Sequence, residues 1–344
     1  MDFTPTEEQE AARELAARIL GDLSTHERLA ATGGATDAEL WKALCAAGLP
    51  AAVEEIGLLG LVLLLEEQGR VTAQVPLAAT GVYGILAVAR HGTGEQRARL
   101  LPGLRDGTAV ATGAFPATGA VTARQGRLTG TVAWVPWLRD AAFVLVPDAD
   151  RALWLVRTED AVTEPVELTA PWSAGRLVLD GTPAERLGDR PGAGPYEDVL
   201  AAARTAFAGL QAGVCAGSLA RAVAYTSVRE QFGRPLATRQ AVQLRAADAH
   251  MDTESIRVTA YEAAWRSDAG LDRAGAALTA AWWASEAGKR VVHSGQHLHG
   301  GLGADLDHPV HRHFLWGRQL DAYLGAGTEL LAELGDLLAK GDPS

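Results

Sequence analysis

Along this chain the spacing of apolar residues changes character twice. Near the start they recur at helical spacing through Leu15, Ile19 and Leu20. Thr4, Pro5 and Glu7 supply a hydroxyl N-cap, a proline at the first helical position and the acid of a capping box. Helices are further expected over 37–47, 55–68, 78–89 and 95–104, with breaks at Gly48-Leu49-Pro50, Gly92-Thr93-Gly94 and Pro102-Gly103. From 107 to 194, short runs rich in Val, Thr and Trp replace that pattern, and 128–137, 142–147, 152–157 and 176–179 read as strands. The stretch Arg190-Pro191-Gly192-Ala193-Gly194-Pro195 closes this part. Longer helices follow over 196–228, 239–269, 271–298, 309–320 and 328–338. The expected fold is mainly α with an inserted β module: a helical domain over 1–106, a middle β domain over 107–194 and a helical bundle over 195–344. Gly209, Gly213 and Gly217 fall on one face of the first long bundle helix. Each lowers helix propensity by about 1 kcal/mol against Ala, so close approach of a neighbouring helix is the expected compensation.

Composition narrows the class of molecule. Of 344 residues, 48% are apolar but only 6% aromatic, which suits long helices packed through small residues. A formal net charge of −11 argues against a non-specific nucleic-acid binder, while leaving room for a local basic pocket. Cys45 and Cys215 stand in apolar helical stretches and read as buried thiols of a reducing compartment. The acidic opening Met1 to Glu8 lacks the form of a signal peptide, and the apolar run 56–65 is too short for a bilayer, which needs roughly 20 residues. The expectation is a cytoplasmic protein that binds no membrane. Six of the nine histidines, His293, His297, His299, His308, His311 and His313, crowd into one stretch. Their spacings match metal ligation only loosely, and no metal is expected.

Three strings carry candidate chemistry. The first is Val228-Arg229-Glu230-Gln231-Phe232-Gly233-Arg234-Pro235, followed by Gln240 and Gln243. It reads as a helix stop, with Gly233 in a left-handed cap and Pro235 barring continuation. It would leave Arg229 and Phe232 at a helix end, a cation and a ring suited to a diphosphate and an adenine. The second, Gln296-His297-Leu298-His299-Gly300-Gly301-Leu302-Gly303, ends a helix in glycines whose bare amides can approach a phosphate. The third is His91-Gly92-Thr93-Gly94-Glu95-Gln96. In this order and spacing the three resemble the acyl-CoA dehydrogenase family over nearly the whole chain.

That resemblance implies FAD as cofactor, an acyl-CoA thioester as substrate, a tetramer, and an electron-transfer protein as possible acceptor. By it, Arg229, Phe232, Gln240, Gln296, Gly300 and Gly301 contact the dinucleotide of a neighbouring subunit, Thr328 joins the cofactor site, and Trp134 covers the flavin ring. Pro136 stands where relatives carry a hydroxyl residue, and it has no amide hydrogen to donate. Ala114-Phe115-Pro116-Ala117-Thr118-Gly119 stands where a Thr-Glu-Pro and Gly-Ser loop is expected. The general base is missing from both family positions, which here are Ala326 and Ala203. Glu329 and Glu197 are the weak replacements, and Arg204 matches an arginine near the thioester in relatives. Two readings stay open: a self-sufficient enzyme with a relocated base, and a subunit without a base that completes the flavin site of a homologous catalytic partner, as in steroid-side-chain members built as heterotetramers. A flavin-free scaffold is a third.

Overall fold

The computed structural model describes residues 2–116, 119–189 and 192–341. Its helices are α1 (Glu7–Leu23), α2 (His26–Thr32), α3 (Ala38–Ala46), α4 (Leu49–Val71), α5 (Leu77–Ala79), α6 (Ala87–His91) and α7 (Gly94–Asp106) before the sheets, then α8 (Gly194–Val228), α9 (Gln240–Asp268), α10 (Ala274–His299), α11 (Val310–Tyr323) and α12 (Gly327–Gly341). Between α7 and α8 lie β1 (Ala111–Gly113), β2 (Val121–Arg124), β3 (Arg127–Val135), β4 (Phe143–Pro147), β5 (Leu153–Arg157), β6 (Val162–Pro165), β7 (Gly175–Pro183) and β8 (Glu185–Arg186). The predicted order of helices, sheets and helices is present. Contacts group the chain into two compact units, Glu7–Leu61 with Gln74–Ala203, and Met1–Thr6 with Val62–Ala73 and Arg204–Ser344.

In the first unit the sheets run β1-β4-β5-β8 and β2-β3-β7-β6. They share a core of Val121, Leu128, Val132, Val144, Val146, Val156 and Leu177. β4 is buried at every position, hence its unbroken apolar run, whereas β3 alternates towards solvent. The amino-terminal cap differs from expectation. α1 begins at Glu7, and both the amide and the hydroxyl of Thr4 donate to Asp2 Oδ1, at 3.0 and 2.7 Å. The Thr93–Gln96 string does form a capping box on α7. Gln96 Nε2 also donates to Glu185 Oε1 (2.7 Å) and Arg186 O (2.8 Å), tying α7 to β8. Nearby, His91 Nε2 lies 2.5 Å from Asp198 Oδ2. A π-helix over Thr80–Leu86 interrupts the expected α-helix. It carries the buried Tyr83, whose ring covers Gly113 so closely that a Cβ there would stand 2.5 Å from ring carbons.

The second unit is built on a seam between the carboxyl-terminal part of α4 and α8. A Cβ at Gly213 would stand 2.0 Å from Glu66 O, one at Gly217 2.2 Å from Arg70 O, and one at Gly69 2.2 Å from Leu210 O. The glycines thus meet backbone across the seam, as their spacing foretold. Glu66, almost fully buried, accepts from Arg257 (2.7 Å), Arg70 (3.3 Å) and Tyr261 Oη (2.8 Å), which fixes α9 to the same seam. α8 is long and apolar enough to cross a membrane by composition, yet 89% of its apolar window is buried within the protein. Helix α12 docks separately, through Leu330, Leu334 and Leu337 onto Leu278, Ala281 and Trp282 of α10.

Gly213→Ala should lower unfolding stability in urea by about 2 kcal/mol or more, because backbone must move. Gly335, with open space around it in α12, is the control: Gly335→Ala should raise stability by roughly 0.5–1 kcal/mol. Equal effects of the two substitutions would contradict the seam.

Candidate functional site

The Arg229 string is a hairpin rather than a simple helix stop. α8 ends at Val228, and β9 (Glu230–Gln231) pairs with β10 (Arg234–Pro235) around a two-residue turn. Phe232 and Gly233 both take positive φ, +54° and +75°, the pattern of a type I′ turn. Phe232 is 89% exposed. It is held from behind by Arg239, whose guanidinium lies 5.0 Å from the ring centre and donates to Gln231 O at 2.9 Å. Arg229 is exposed at the foot of the hairpin, and Gln240 is exposed at the first position of α9.

The Gln296 string ends α10 and turns through a 3-10 segment, Gly300–Ala304. Gly300 adopts φ +63°, and nothing lies within 4 Å of where a Cβ would stand at Gly300 or Gly301. The Gly300 amide itself donates to His297 O, so the space there is open while that donor is engaged. The tight glycine is Gly303, where a Cβ would lie 2.3 Å from Gln296 O, while Gln296 Nε2 donates to Gly303 O at 3.1 Å. Both strings belong to the same compact unit, and Arg229 and Phe232 present a cation and a ring to solvent.

In the β module the fit is poorer. Trp134 is half-buried near the end of β3, and Pro136 is buried with its carbonyl accepting from Thr112 Oγ1 at 2.5 Å. The next amide, Trp137 N–H, donates to Trp172 O (2.6 Å), and the two indoles stack 5.0 Å apart. Pro136 therefore offers no donor to a flavin ring, and the following amide is already engaged. Thr118 lies outside the described residues.

At the α11–α12 junction Ala326 occupies a position where the family resemblance implies a base, and Ala203, the other such position, is fully buried on α8. Glu329 accepts from Ala326 N–H at 3.0 Å, so its carboxylate caps the start of α12. Thr328 is exposed in the same turn. Glu197 is exposed and pairs with Arg151 at 3.5 Å. Arg204 is 8% exposed and forms a fork with Glu333, at 2.8 and 2.6 Å, its Nε donating to Leu324 O at 3.4 Å. Beside it lies a cavity of about 20 Å³, walled by Phe207, Leu320, Tyr323, Leu324 and Leu330. That holds about one water molecule.

Comparison with known proteins joins these pieces. Residues 6–108 match the acyl-CoA dehydrogenase N-terminal domain, and residues 192–333 match the acyl-CoA dehydrogenase C-terminal domain. The chain is 35% identical, over 381 aligned positions, to acyl-CoA dehydrogenase FadE27 of Mycobacterium tuberculosis, covering 99% of both. The chain belongs to the acyl-CoA dehydrogenase family. Among solved structures it is similar to a chain of the Tcur3481-Tcur3483 steroid ACAD, with 42% identity, a TM-score of 0.91 and coverage of 98% and 99%. It is also similar to a chain of the ChsE4-ChsE5 complex from Mycobacterium tuberculosis, with 32% identity, a TM-score of 0.92 and full coverage of both.

Sequence reasoning missed two residues of this acyl-CoA dehydrogenase site. Arg239 supports Phe232, and the one signal for it was a second cation shortly after the hairpin. Glu333 neutralises Arg204 from 129 positions away, a pairing that only the packing of α12 brings about.

The histidines do separate structural jobs, and among the described residues no group of three or more His, Cys, Asp or Glu is placed to hold a metal ion. His299 meets Gly295 O at 2.7 Å and stacks on Tyr225. His311 meets His308 O at 2.6 Å, and His293 meets the edge of Phe314. His313 is fully enclosed against Arg70 O (3.0 Å), and burial pushes its imidazole down to about 4. The unfolded chain therefore binds a proton that the folded chain refuses. Stability is fully present above the ordinary histidine value and falls as pH drops towards 4. His313→Gln should remove about 2 kcal/mol of the loss in urea stability between pH 7 and pH 5. Parallel pH profiles for the two proteins would contradict this.

Proposed function

We propose that this acyl-CoA dehydrogenase family member is the subunit that lacks the base and completes the FAD site of a homologous catalytic subunit, within a cytoplasmic heterotetramer. The observation that carries this reading is the pair of alanines at Ala326 and Ala203, with Glu329 tied to the Ala326 amide. A proton α to a thioester is weakly acidic, and a positioned base contributes roughly 10²–10⁴ in rate. Glu329 is held as a cap, and Glu197 is ion-paired and exposed. Neither supports the alternative of a self-sufficient enzyme with a relocated base.

What the chain retains is the diphosphate end. Arg229 offers a guanidinium fork for phosphate and Phe232 a ring face for adenine, while Gly300 and Gly301 leave space for a phosphate to approach, and Gln240 and Gln296 add polar groups to the two strings. FAD supplies the hydride acceptor in such an assembly, and its electrons would pass on to an electron-transfer protein. The proton is taken by the partner's carboxylate. Trp134 remains able to cover a ring, but the missing donor at Pro136 favours a ring held in the partner's β module. Leu244, Met251 and Val258, exposed to 58%, 60% and 48%, recur every seven residues along α9. That stripe suits packing against another helical bundle. The similarity to solved complexes of two named proteins supports a heteromer, and the relative described as a steroid ACAD supports a steroid-type acyl thioester as substrate.

Purification alone and together with a homologous catalytic subunit tests the reading. The chain alone should be colourless, and the pair should be yellow and bleach on addition of acyl-CoA. A chain that alone is yellow and bleaches would overturn it. Within the pair, Arg229→Ala should lower flavin occupancy at limiting FAD, by about tenfold in affinity for a lost charge-assisted contact. Unchanged occupancy would remove Arg229 from the cofactor site.

A further inference from the structure

The hairpin after α8 is poorly supported by its own sequence. Type I′ turns favour Asn-Gly or Asp-Gly at their centre, because both residues take positive φ, yet here Phe232 stands first at +54°. The strands β9 and β10 are two residues each, too short to fix the turn by pairing alone. The ring itself is 89% exposed. What holds it comes from Arg239. The guanidinium lies 5.0 Å from the ring centre, within cation–π reach, and Nη2 donates to Gln231 O at 2.9 Å, on the residue just before the ring. One side chain thus grips both the backbone and the ring of the turn.

Arg239 fills this role against local preference. It is the N-cap of α9, a position that favours Ser, Thr, Asp or Asn, and its side chain makes no capping bond. A cation there also faces the positive end of the helix dipole, and the first turn of α9 holds no acid to offset it. α10 likewise follows an arginine, but there Asp272 accepts from the Ala274 amide at 3.2 Å. Arg239 Nε is buried and has no acceptor. A residue that departs from local preference in these ways while holding one exposed ring is placed for that ring.

We infer that Arg239 is a positioning residue for the dinucleotide: it holds Phe232 ready to stack on the adenine, and so raises the affinity of the site without touching the ligand. The inference rests on the proposed function. The resemblance assigns Arg229, Phe232 and Gln240 in this string and gives position 239 no part. An exposed ring that is free to move must be immobilised when a ligand stacks on it, and that ordering is subtracted from the affinity. With Arg239 behind it, Phe232 has already lost that freedom and keeps an open surface for a flat base.

The test uses Arg239→Ser in the full-length chain and in its pair with a homologous catalytic subunit. Serine supplies the missing cap and removes the cation, so a merely structural residue and a positioning residue respond in opposite directions. In the chain alone, amide hydrogen exchange should slow in the first turn of α9 and quicken from Gln231 to Arg234. In the pair, FAD affinity, read by flavin fluorescence on titration into apoprotein, should fall about three- to fivefold, the worth of one exposed cation–π contact. Arg239→Lys, which keeps the cation, should stay within about twofold of wild type. In a Phe232→Ala background Arg239→Ser should bring no further loss, because the arginine acts through the ring. Unchanged hairpin exchange, unchanged FAD affinity, or an undiminished loss in the Phe232→Ala background would each overturn the role. A wild-type pair that takes up no FAD would instead overturn the proposed function, and this role with it. If Arg239→Ser loses protection along the whole of α9, Arg239→Gln takes its place in the same comparisons.

Discussion

Direct backbone contact between α4 and α8 is the constraint on which the second unit depends. Side chains cannot stand between the two helices at Gly69, Gly213 and Gly217, so the helices meet main chain to main chain. Such an approach gives dense dispersion contact but tolerates almost no variation in register. The register fixes where Glu66 emerges, and Glu66 in turn gathers Arg70, Arg257 and Tyr261. With α9 thus placed, α10 follows it antiparallel, bound by the bidentate Arg290–Asp252 pair at 2.7 and 2.9 Å. The hairpin after α8 and the glycine loop after α10 are the ends of helices whose positions were set by the seam.

On the proposed function, the candidate site divides into a part that keeps its chemistry and a part without a base. Arg229, Phe232, Gly300 and Gly301 stay exposed and unobstructed. They belong to surfaces where an isolated protein would gain nothing from them. Around Ala326 two carboxylates are engaged within the chain. Glu329 caps a helix, Glu333 neutralises Arg204, and the cavity beside Arg204 has a volume of about 20 Å³. A catalytic pocket needs a base free to move a proton and room for the carbon that loses it. Glu329 and Glu333 are both engaged, as the proposed function expects of this corner.

Much of this was legible in the chain itself, where local pattern decides. The long helices appeared within a few residues because their apolar faces are long and regular, and the glycine triplet announced a close neighbour. Strands β1, β2, β6 and β8 were not legible, being two to four residues long and defined by partners far away in sequence. The short helix α2 lacked a repeating pattern. The π-helix around Tyr83 hides within an apolar run that reads as ordinary helix, and its ring meets Gly113 of a distant element. At the site, the first string was visible as a break, but its hairpin form depended on Phe232 taking a positive φ that bulky residues seldom adopt. The alanines at Ala326 and Ala203, where the resemblance implies a base, were plain in the sequence. What surrounds Ala326 was not, since the Arg204–Glu333 pairing spans most of the bundle's length in sequence.

The central claim is that this chain lends a diphosphate site to a partner's flavin and holds no flavin ring of its own. Native mass spectrometry of the assembled heteromer, counting FAD against subunits, tests that claim most directly. The account predicts one FAD for each pair of unlike chains. Two FAD for each pair would show that this chain's β module holds a ring despite Pro136, and would contradict it.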